Sequence, residues 1–308
     1  MKTRPASYYR SLKSIHFVSA IVFLWGLSDA LVSFYLPIQM QLFLHNLTLF
    51  GILFAVSSLA GAFADPILGF LSSRFRYLAF LVAGLLLSAV VVVTANISPS
   101  IPLIIWLMAA WGFYYEFINI GIFNYVGRYR SGQEQSRSFG IIYLFMNLAY
   151  VIGPLVGGYL VLYGNRIIYG LCFVFVALAF SLIPRIVAIH RRKEVPIIEY
   201  KAPTRYSIMK QLRSYRKVWA YASVFFVAAF LYNAWDSFVW TLIPLESIKG
   251  SAIFAGIITS AFTIPLALFE GYGGKIADTL GRNITFVAGL LAASVCTLLF
   301  GLQHQIIL

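Results

Sequence analysis

Nine long apolar runs, separated by short polar breaks, constrain this chain more than any other feature of its sequence. A helix needs about 20 apolar residues to cross the hydrocarbon core of a bilayer, and each run is long enough. The runs are continuous and do not alternate between apolar and polar residues, which favours helices over the strands of a membrane barrel. They cover residues 15–37, 48–72, 77–96, 101–127, 137–163, 166–189, 217–245, 252–274 and 283–303.

The composition agrees with a membrane protein and excludes several other classes. Of the 308 residues, 61% are hydrophobic and only 11% are charged, whereas soluble domains contain about 25% charged residues. No nucleotide-binding loop or catalytic triad is found, and the two cysteines and four histidines are scattered along the sequence. We therefore predict an all-α integral membrane protein that is not an enzyme, with no cofactor, metal, nucleotide or nucleic acid as a partner.

The basic residues orient this predicted bundle. With the N-terminus in the cytoplasm, only Arg166 and Lys249 of the 23 Lys and Arg residues fall on the outer side, which leaves 21 on the inner side. Cytoplasmic loops collect Lys and Arg in this way. The short loops further favour a multi-pass protein of a prokaryotic plasma (inner) membrane.

One long polar stretch divides the chain. Residues 1–189 are predicted to form an N-terminal bundle of six helices, and residues 217–308 a C-terminal bundle of three. Residues 190–216 form a cytoplasmic linker in which basic and apolar side chains recur at helical spacing. This pattern is typical of an amphipathic helix that lies on the anionic surface of the bilayer. A partner-binding segment is the alternative.

The two parts also share an internal repeat. At an offset of 205 residues, Asp65 matches Glu270 and Gly69 matches Gly274, and no gap is needed. At an offset of 207, Asp29 matches Asp236. Matched acids within apolar runs, in the same order, indicate the large repeats from which many transporter folds are built. Spans 1–3 and 7–9 are therefore expected to be equivalent units.

Two motifs suggest a family. The stretch from Gly274 to Arg282 reads G-K-I-A-D-T-L-G-R, and it resembles the G-x-L-A-D-R-x-G-R loop motif of the major facilitator superfamily. The first copy, from Gly69 to Arg76, keeps the glycine and the basic residues, but Ser73 replaces the acid. In span 5, a G-P-L-V-G-G stretch is similar to the G-P-x-x-G-G motif of antiporters in that superfamily; its motif residues are Gly153, Pro154, Gly157 and Gly158.

The resemblance implies a helical bundle of twelve spans, of which nine are present, so the chain resembles a product truncated after helix 9. It implies that Asp278 and Arg282 form a charge link at the inner loop and that Gly281 permits a tight turn. The first copy contributes Gly69, Arg74 and Arg76 to the same kind of loop. The span-5 glycines are expected to bend that helix and admit a close neighbour, and the resemblance implies that this face seals the cytoplasmic end.

Acidic residues inside the spans are the strongest functional signal. Each costs about 2.5–3.5 kcal/mol at the centre of a helix on insertion scales, so such residues are typically functional. Almost all basic residues lie in loops, which leaves these acids without cationic partners in the membrane. They are candidates for proton coupling or substrate binding, and hydrogen-bonded packing is the alternative: Asp29, Asp65, Glu116, Asp236 and Glu270.

Aromatic residues make up 17% of the chain, and some of them could line a cavity for an organic solute, although packing and interface belts account for most aromatics in such proteins. Those in the relevant spans are Trp25, Tyr35, Trp111, Tyr114, Tyr115, Tyr232, Trp235 and Trp240. Trp25, Tyr115 and Trp235 are the preferred candidates because they lie close to the acids in sequence.

Taken with the resemblance, these features predict a secondary active transporter of a small organic solute. We expect alternating access, coupling to protons and export. The alternative is a truncated membrane protein without transport activity that has a structural or interaction role.

Overall fold

The computed structural model describes residues 6–97, 99–129, 133–191, 219–237, 240–241, 244–245 and 251–302. Within these ranges the secondary structure is helical and contains no strand. The linker at 192–216 and its expected amphipathic helix lie outside the described residues. The helices are α1 (Ala6–Leu44), α2 (Leu47–Ser72), α3 (Tyr77–Ala95), α4 (Ile101–Tyr129), α5 (Gln133–Leu160), α6 (Asn165–Arg191), α7 (Trp219–Ser237), α8 (Ala252–Leu280) and α9 (Arg282–Leu302).

These nine helices of the described chain coincide with the nine predicted spans, and the prediction of an all-α membrane protein is confirmed. Seven of them are long and apolar enough to cross a bilayer: α1 to α6 and α8. The main difference from the prediction is in α1, which continues through Pro37 to Leu44. Proline is tolerated inside membrane helices because neighbouring groups satisfy the backbone carbonyl that it leaves unpaired.

Short polar segments fix the ends of the helices. Asn46 caps α2, because its side-chain oxygen accepts a hydrogen bond of 3.0 Å from the backbone nitrogen of Leu49. Gly164 and Gly281 adopt positive φ angles of 86° and 93° at two sharp turns, a conformation that glycine adopts without strain. Gly281 lies at the turn between α8 and α9.

Helix α1 lies at the centre of the N-terminal bundle, where it packs against α5 and α6. Helix α4 packs against α2 and α3, and α3 also contacts α6. Helix α8 packs along α5 and so joins the C-terminal helices to the N-terminal bundle. Large apolar side chains cover the outer surface, among them Phe63 of α2 and Phe226 of α7. Such a surface is suited to lipid chains.

Candidate proton and substrate site

Asp29 of α1 is the most buried acid of the described chain, with 1% of its surface exposed. Its Oδ1 accepts hydrogen bonds from the Tyr114 hydroxyl at 2.5 Å and from Trp111 Nε1 at 3.1 Å, both on α4. Its Oδ2 accepts a hydrogen bond from the hydroxyl of Tyr150 on α5. Ser33, one turn along α1, is also hydrogen-bonded to this carboxyl group. Three helices thus converge on one side chain.

All of these donors are neutral. A carboxylate offers about four acceptor sites, so the four donors fill the capacity of ionised Asp29. No Lys or Arg occurs between Lys13 and Arg74, which agrees with the expectation that the acid has no cationic partner in its own span. A proton added to either oxygen would turn that oxygen into a donor. At least one of the present hydrogen bonds would then have to reverse or break.

Aromatic rings surround this carboxyl group. The ring of Trp25 lies 6.3 Å from that of Tyr114 and 5.9 Å from that of Tyr115, measured between centroids. Trp25 is fully buried, and its indole nitrogen has no hydrogen-bond partner within the part of the chain that the structure describes. Trp25 and Tyr115 therefore lie beside the acid, whereas the side chain of Trp235 is outside the described residues.

The C-terminal helices also reach this region. Asp236, near the end of α7, is half-buried and within electrostatic range of Tyr115, as is Asp29. The ring of Trp240 packs against Tyr150 with a centroid distance of 5.3 Å. The repeat-related acids Asp29 and Asp236 thus both act electrostatically on one tyrosine, and Tyr150 contacts both Asp29 and the C-terminal part of the chain.

Glu116 and Asp65 form a second acidic site on a different side of α4. Glu116 is hydrogen-bonded to Asp65 of α2 and to Asn119. A hydrogen bond between two carboxyl groups requires one of them to carry a proton. Helical geometry separates the two sites, since Trp111 and Tyr114 face α1 while Glu116 faces α2. The exposed Asp65 and the half-buried Glu116 thus pair with each other.

The first copy of the loop motif lies in the turn between α2 and α3. Arg74 and Arg76 are exposed there, and the guanidinium of Arg74 lies 4.7 Å from the centroid of the Phe70 ring. Asn124 of α4 donates hydrogen bonds of 3.2 Å to the backbone oxygens of Ser72 and Phe75. We call this end of the bundle the basic end. Asn124 was not a predicted site residue, because nothing in its local sequence marks it.

Other parts of the loop motifs are less constrained by the structure. A Cβ added to Gly69 would have open space around it, so no other described residue packs closely against this glycine. The side chains of Glu270, Asp278 and Arg282 lie outside the described residues, as does the environment of Gly274. Their predicted roles stay predictions.

The glycines of the span-5 motif lie close to neighbouring helices. An added Cβ would lie 2.4 Å from Ala30 Cβ at Gly153, 2.8 Å from the Phe34 ring at Gly157 and 2.5 Å from the Ala252 oxygen at Gly158. The carbonyl of Pro154 is equally close to Gly256 of α8, where an added Cβ would lie 2.3 Å from it. Glycines here allow α5 to touch α1 on one side and α8 on the other.

The position of this contact differs from the expectation. These residues lie near the C-terminal end of α5, and α5 begins at the basic end, where Asn124 of the preceding helix contacts the α2–α3 turn. With a cytoplasmic N-terminus, the contact between α5 and α8 is at the outer end of the bundle. In that orientation, which stays a prediction, the contact would not seal the cytoplasmic end.

The described residues contain no group of three or more His, Cys, Asp or Glu side chains that could bind a metal ion. The two cysteines, Cys172 and Cys296, are free thiols.

Long apolar helices around a buried, uncompensated carboxyl group define a multi-pass membrane protein of the transporter class. The chain belongs to the Major Facilitator Superfamily, because the model of that family matches residues 18–307. The resemblance seen in the sequence is thus confirmed, and the chain is a secondary transporter. No curated protein matches the chain.

Proposed function

We propose that this transporter exports a small organic solute in exchange for protons and that Asp29 carries the proton. The observation that supports this role is the convergence of α1, α4 and α5 on one fully buried carboxyl group. Alternating access requires helices to move relative to one another. A group that bonds to three of them changes their mutual stability when it gains or loses a proton.

The solute is proposed to bind beside this acid. Asp29 and Asp236 lie on the two halves of the chain, and Tyr115 is within electrostatic range of both. Trp25 adds an indole nitrogen that has no partner in the described chain and can bond to an acceptor group of a solute. The Glu116–Asp65 pair is proposed to hold a further proton at the contact of α2 and α4.

The membrane and orientation belong to the same proposal. The N-terminus lies in the cytoplasm of a plasma (inner) membrane, supported by the distribution of basic residues. Asp278 and Arg282 of the second loop motif, whose sequence begins at Gly274, are proposed to form a charge link on that side.

Transport in inside-out vesicles tests the proposal. Panels of radiolabelled organic cations, anions and neutral solutes are added outside vesicles that have an acidic lumen. An exporter would move its solute into the lumen as protons leave it. For any solute accumulated by the wild type, Asp29→Asn is expected to abolish gradient-driven accumulation between pH 5.5 and 8, while solute exchange without a gradient survives. The amide keeps the size of the side chain but cannot titrate. An unchanged pH profile at equal protein level would remove Asp29 from the mechanism.

A further inference from the structure

We propose that Tyr150 is the positioning residue that relays the protonation of Asp29 to the C-terminal half of the transporter. This inference rests on the proposed role of Asp29. Its own basis is geometric, because Tyr150 contacts the acid with its hydroxyl group and the C-terminal half with its ring.

The two oxygens of Asp29 differ in how they can take up a proton. Oδ1 accepts from Trp111, whose indole nitrogen is a donor only and cannot accept a bond in return. Oδ2 accepts from Tyr150, whose hydroxyl oxygen can also act as an acceptor. Protonation of Oδ2 therefore preserves the bonds to Oδ1, provided that the Tyr150 hydroxyl stops donating and accepts the new O–H.

That reversal changes the orientation of the Tyr150 hydroxyl group relative to Asp29. The hydroxyl hydrogen must turn away from Asp29, and the oxygen must present its lone pairs to the protonated carboxyl group. The same ring packs edge-on against Trp240, at an interplanar angle of 75°. Movement of Tyr150 on protonation would consequently alter its ring contact with Trp240, which precedes α8 in the C-terminal half.

Tyr114 provides the contrast. Its hydroxyl also donates to Asp29, at 2.5 Å, but its side chain is fully buried and its ring packs against Trp25 within the N-terminal bundle. Tyr150 is only partly buried. Of these two hydroxyl donors, Tyr150 is the one whose ring packs against a residue of the C-terminal half.

Other groups near Asp29 do not supply an equivalent path. Among the residues that the structure describes, the polar and titratable groups that interact with it from its own helix and from the surrounding helices include Ser33 of α1, Trp111, Tyr114 and Tyr115 of α4, Tyr150 of α5 and Cys172 of α6. The thiol of Cys172 donates to the Ser28 backbone oxygen at 3.6 Å. The groups that respond to the protonation of Asp29 are therefore neutral hydroxyl, indole and thiol groups.

A distance measurement that needs no solute tests the relay. Spin labels are placed at Leu162→Cys and Ile253→Cys, two exposed positions that flank the contact of α5 and α8, with Cys172 and Cys296 replaced by Ala. Distance distributions are recorded in nanodiscs between pH 5.5 and 8. In the otherwise wild-type protein, the ratio of short to long distances should change with pH, and Asp29→Asn should abolish that change.

Tyr150→Phe keeps the ring against Trp240 and removes only the hydroxyl. It is expected to abolish the pH-dependent shift, whereas the matched variant Tyr114→Phe should retain it. Trp240→Ala, which keeps the bond to Asp29 but removes the ring contact, should behave like Tyr150→Phe and replaces it if that variant does not fold.

The outcomes separate the two proposals. A shift that is lost in Asp29→Asn but normal in Tyr150→Phe or in Trp240→Ala would overturn the relay and leave the role of Asp29 standing. A shift that persists in Asp29→Asn would overturn both. Equal loss in Tyr150→Phe and Tyr114→Phe would also overturn the relay, because the effect would then be a general loss of bonds to the acid.

Discussion

Gly158 of α5 and Gly256 of α8 lie so close together that a Cβ added to Gly158 would be 3.1 Å from the Cα of Gly256. Along the same contact, the Ser260 hydroxyl donates a hydrogen bond of 2.7 Å to the Val151 oxygen. The buried residues of α8 run from Ala255 to Thr263, so its first three turns contact α5. This contact joins the two halves at the end opposite to the basic end.

Gly256→Val is expected to force α5 and α8 apart, because the new side chain would collide with the Pro154 carbonyl. Overpacking of this kind costs about 1–3 kcal/mol, which is enough to shift a balanced two-state equilibrium strongly. Spin labels at Leu162→Cys and Ile253→Cys should report a longer distance. Gly51→Val is the matched control, since Gly51 is the repeat counterpart of Gly256 and has open space around it; an equal effect in both variants would contradict the prediction.

Gly112→Ala should destabilise the N-terminal bundle. An added Cβ would lie 2.1 Å from the backbone oxygen of Ser57, and backbone cannot turn aside as a flexible side chain can. The expected loss is about 1–3 kcal/mol, measured as a lower unfolding temperature in detergent. Gly170→Ala, at a helical position with no close neighbour, should be neutral or stabilising by up to about 1 kcal/mol because alanine favours the helix. A lower unfolding temperature in both Gly112→Ala and Gly170→Ala would indicate a general effect of the substitution and contradict the prediction.

Asp29→Asn and Glu116→Gln should act independently on transport. The two acids have different hydrogen-bond partners, so the variants share no partner in the described structure. Their effects on the activation free energy should add to within about 0.5 kcal/mol, which is roughly twofold in rate. Rates of solute exchange without a gradient, which is expected to survive in Asp29→Asn, form the cycle for the single and double variants. Strong non-additivity would show that the two sites work as one unit.

The orientation can be checked by labelling. In a background without native cysteines, Ser73→Cys lies in the basic turn between α2 and α3, and Asn46→Cys lies at the opposite end of α2. A membrane-impermeant maleimide added to intact cells should label Asn46→Cys only, and Ser73→Cys should react after the cells are opened. The reverse pattern would place the N-terminus outside.

The helices could be predicted from the sequence because each one depends on a local property, a continuous apolar run with a polar break at its end. The close approach at Gly153, Gly157 and Gly158 was predictable for the same reason, since small residues at this spacing indicate a helix contact. The extension of α1 to Leu44 could not be predicted from the apolar run, which ends at Pro37, whereas the helix continues through this proline.

The partners of Asp29 could not be found in the same way. Trp111, Tyr114 and Tyr150 lie 82, 85 and 121 residues away in sequence, so only the tertiary fold brings these side chains of α4 and α5 to the acid. Trp111 and Tyr114 were candidates among eight aromatics, but nothing in the sequence singled out Tyr150. The Glu116–Asp65 pair likewise depends on how α4 packs against α2.

The absence of Lys and Arg from the sequence between residues 14 and 73, 77 and 127, and 138 and 165 has an electrical consequence. Hydrogen bonds from neutral groups can satisfy an ionised Asp29, but they do not cancel its charge. Any step that moves this residue relative to the membrane field while ionised is therefore sensitive to voltage, with up to about 2.3 kcal/mol per 100 mV for a charge that crosses the whole field. The same step with Asp29 protonated is electrically silent. The membrane potential would then favour one direction of the conformational change in the empty carrier with ionised Asp29. It would favour neither direction in the carrier with protonated Asp29.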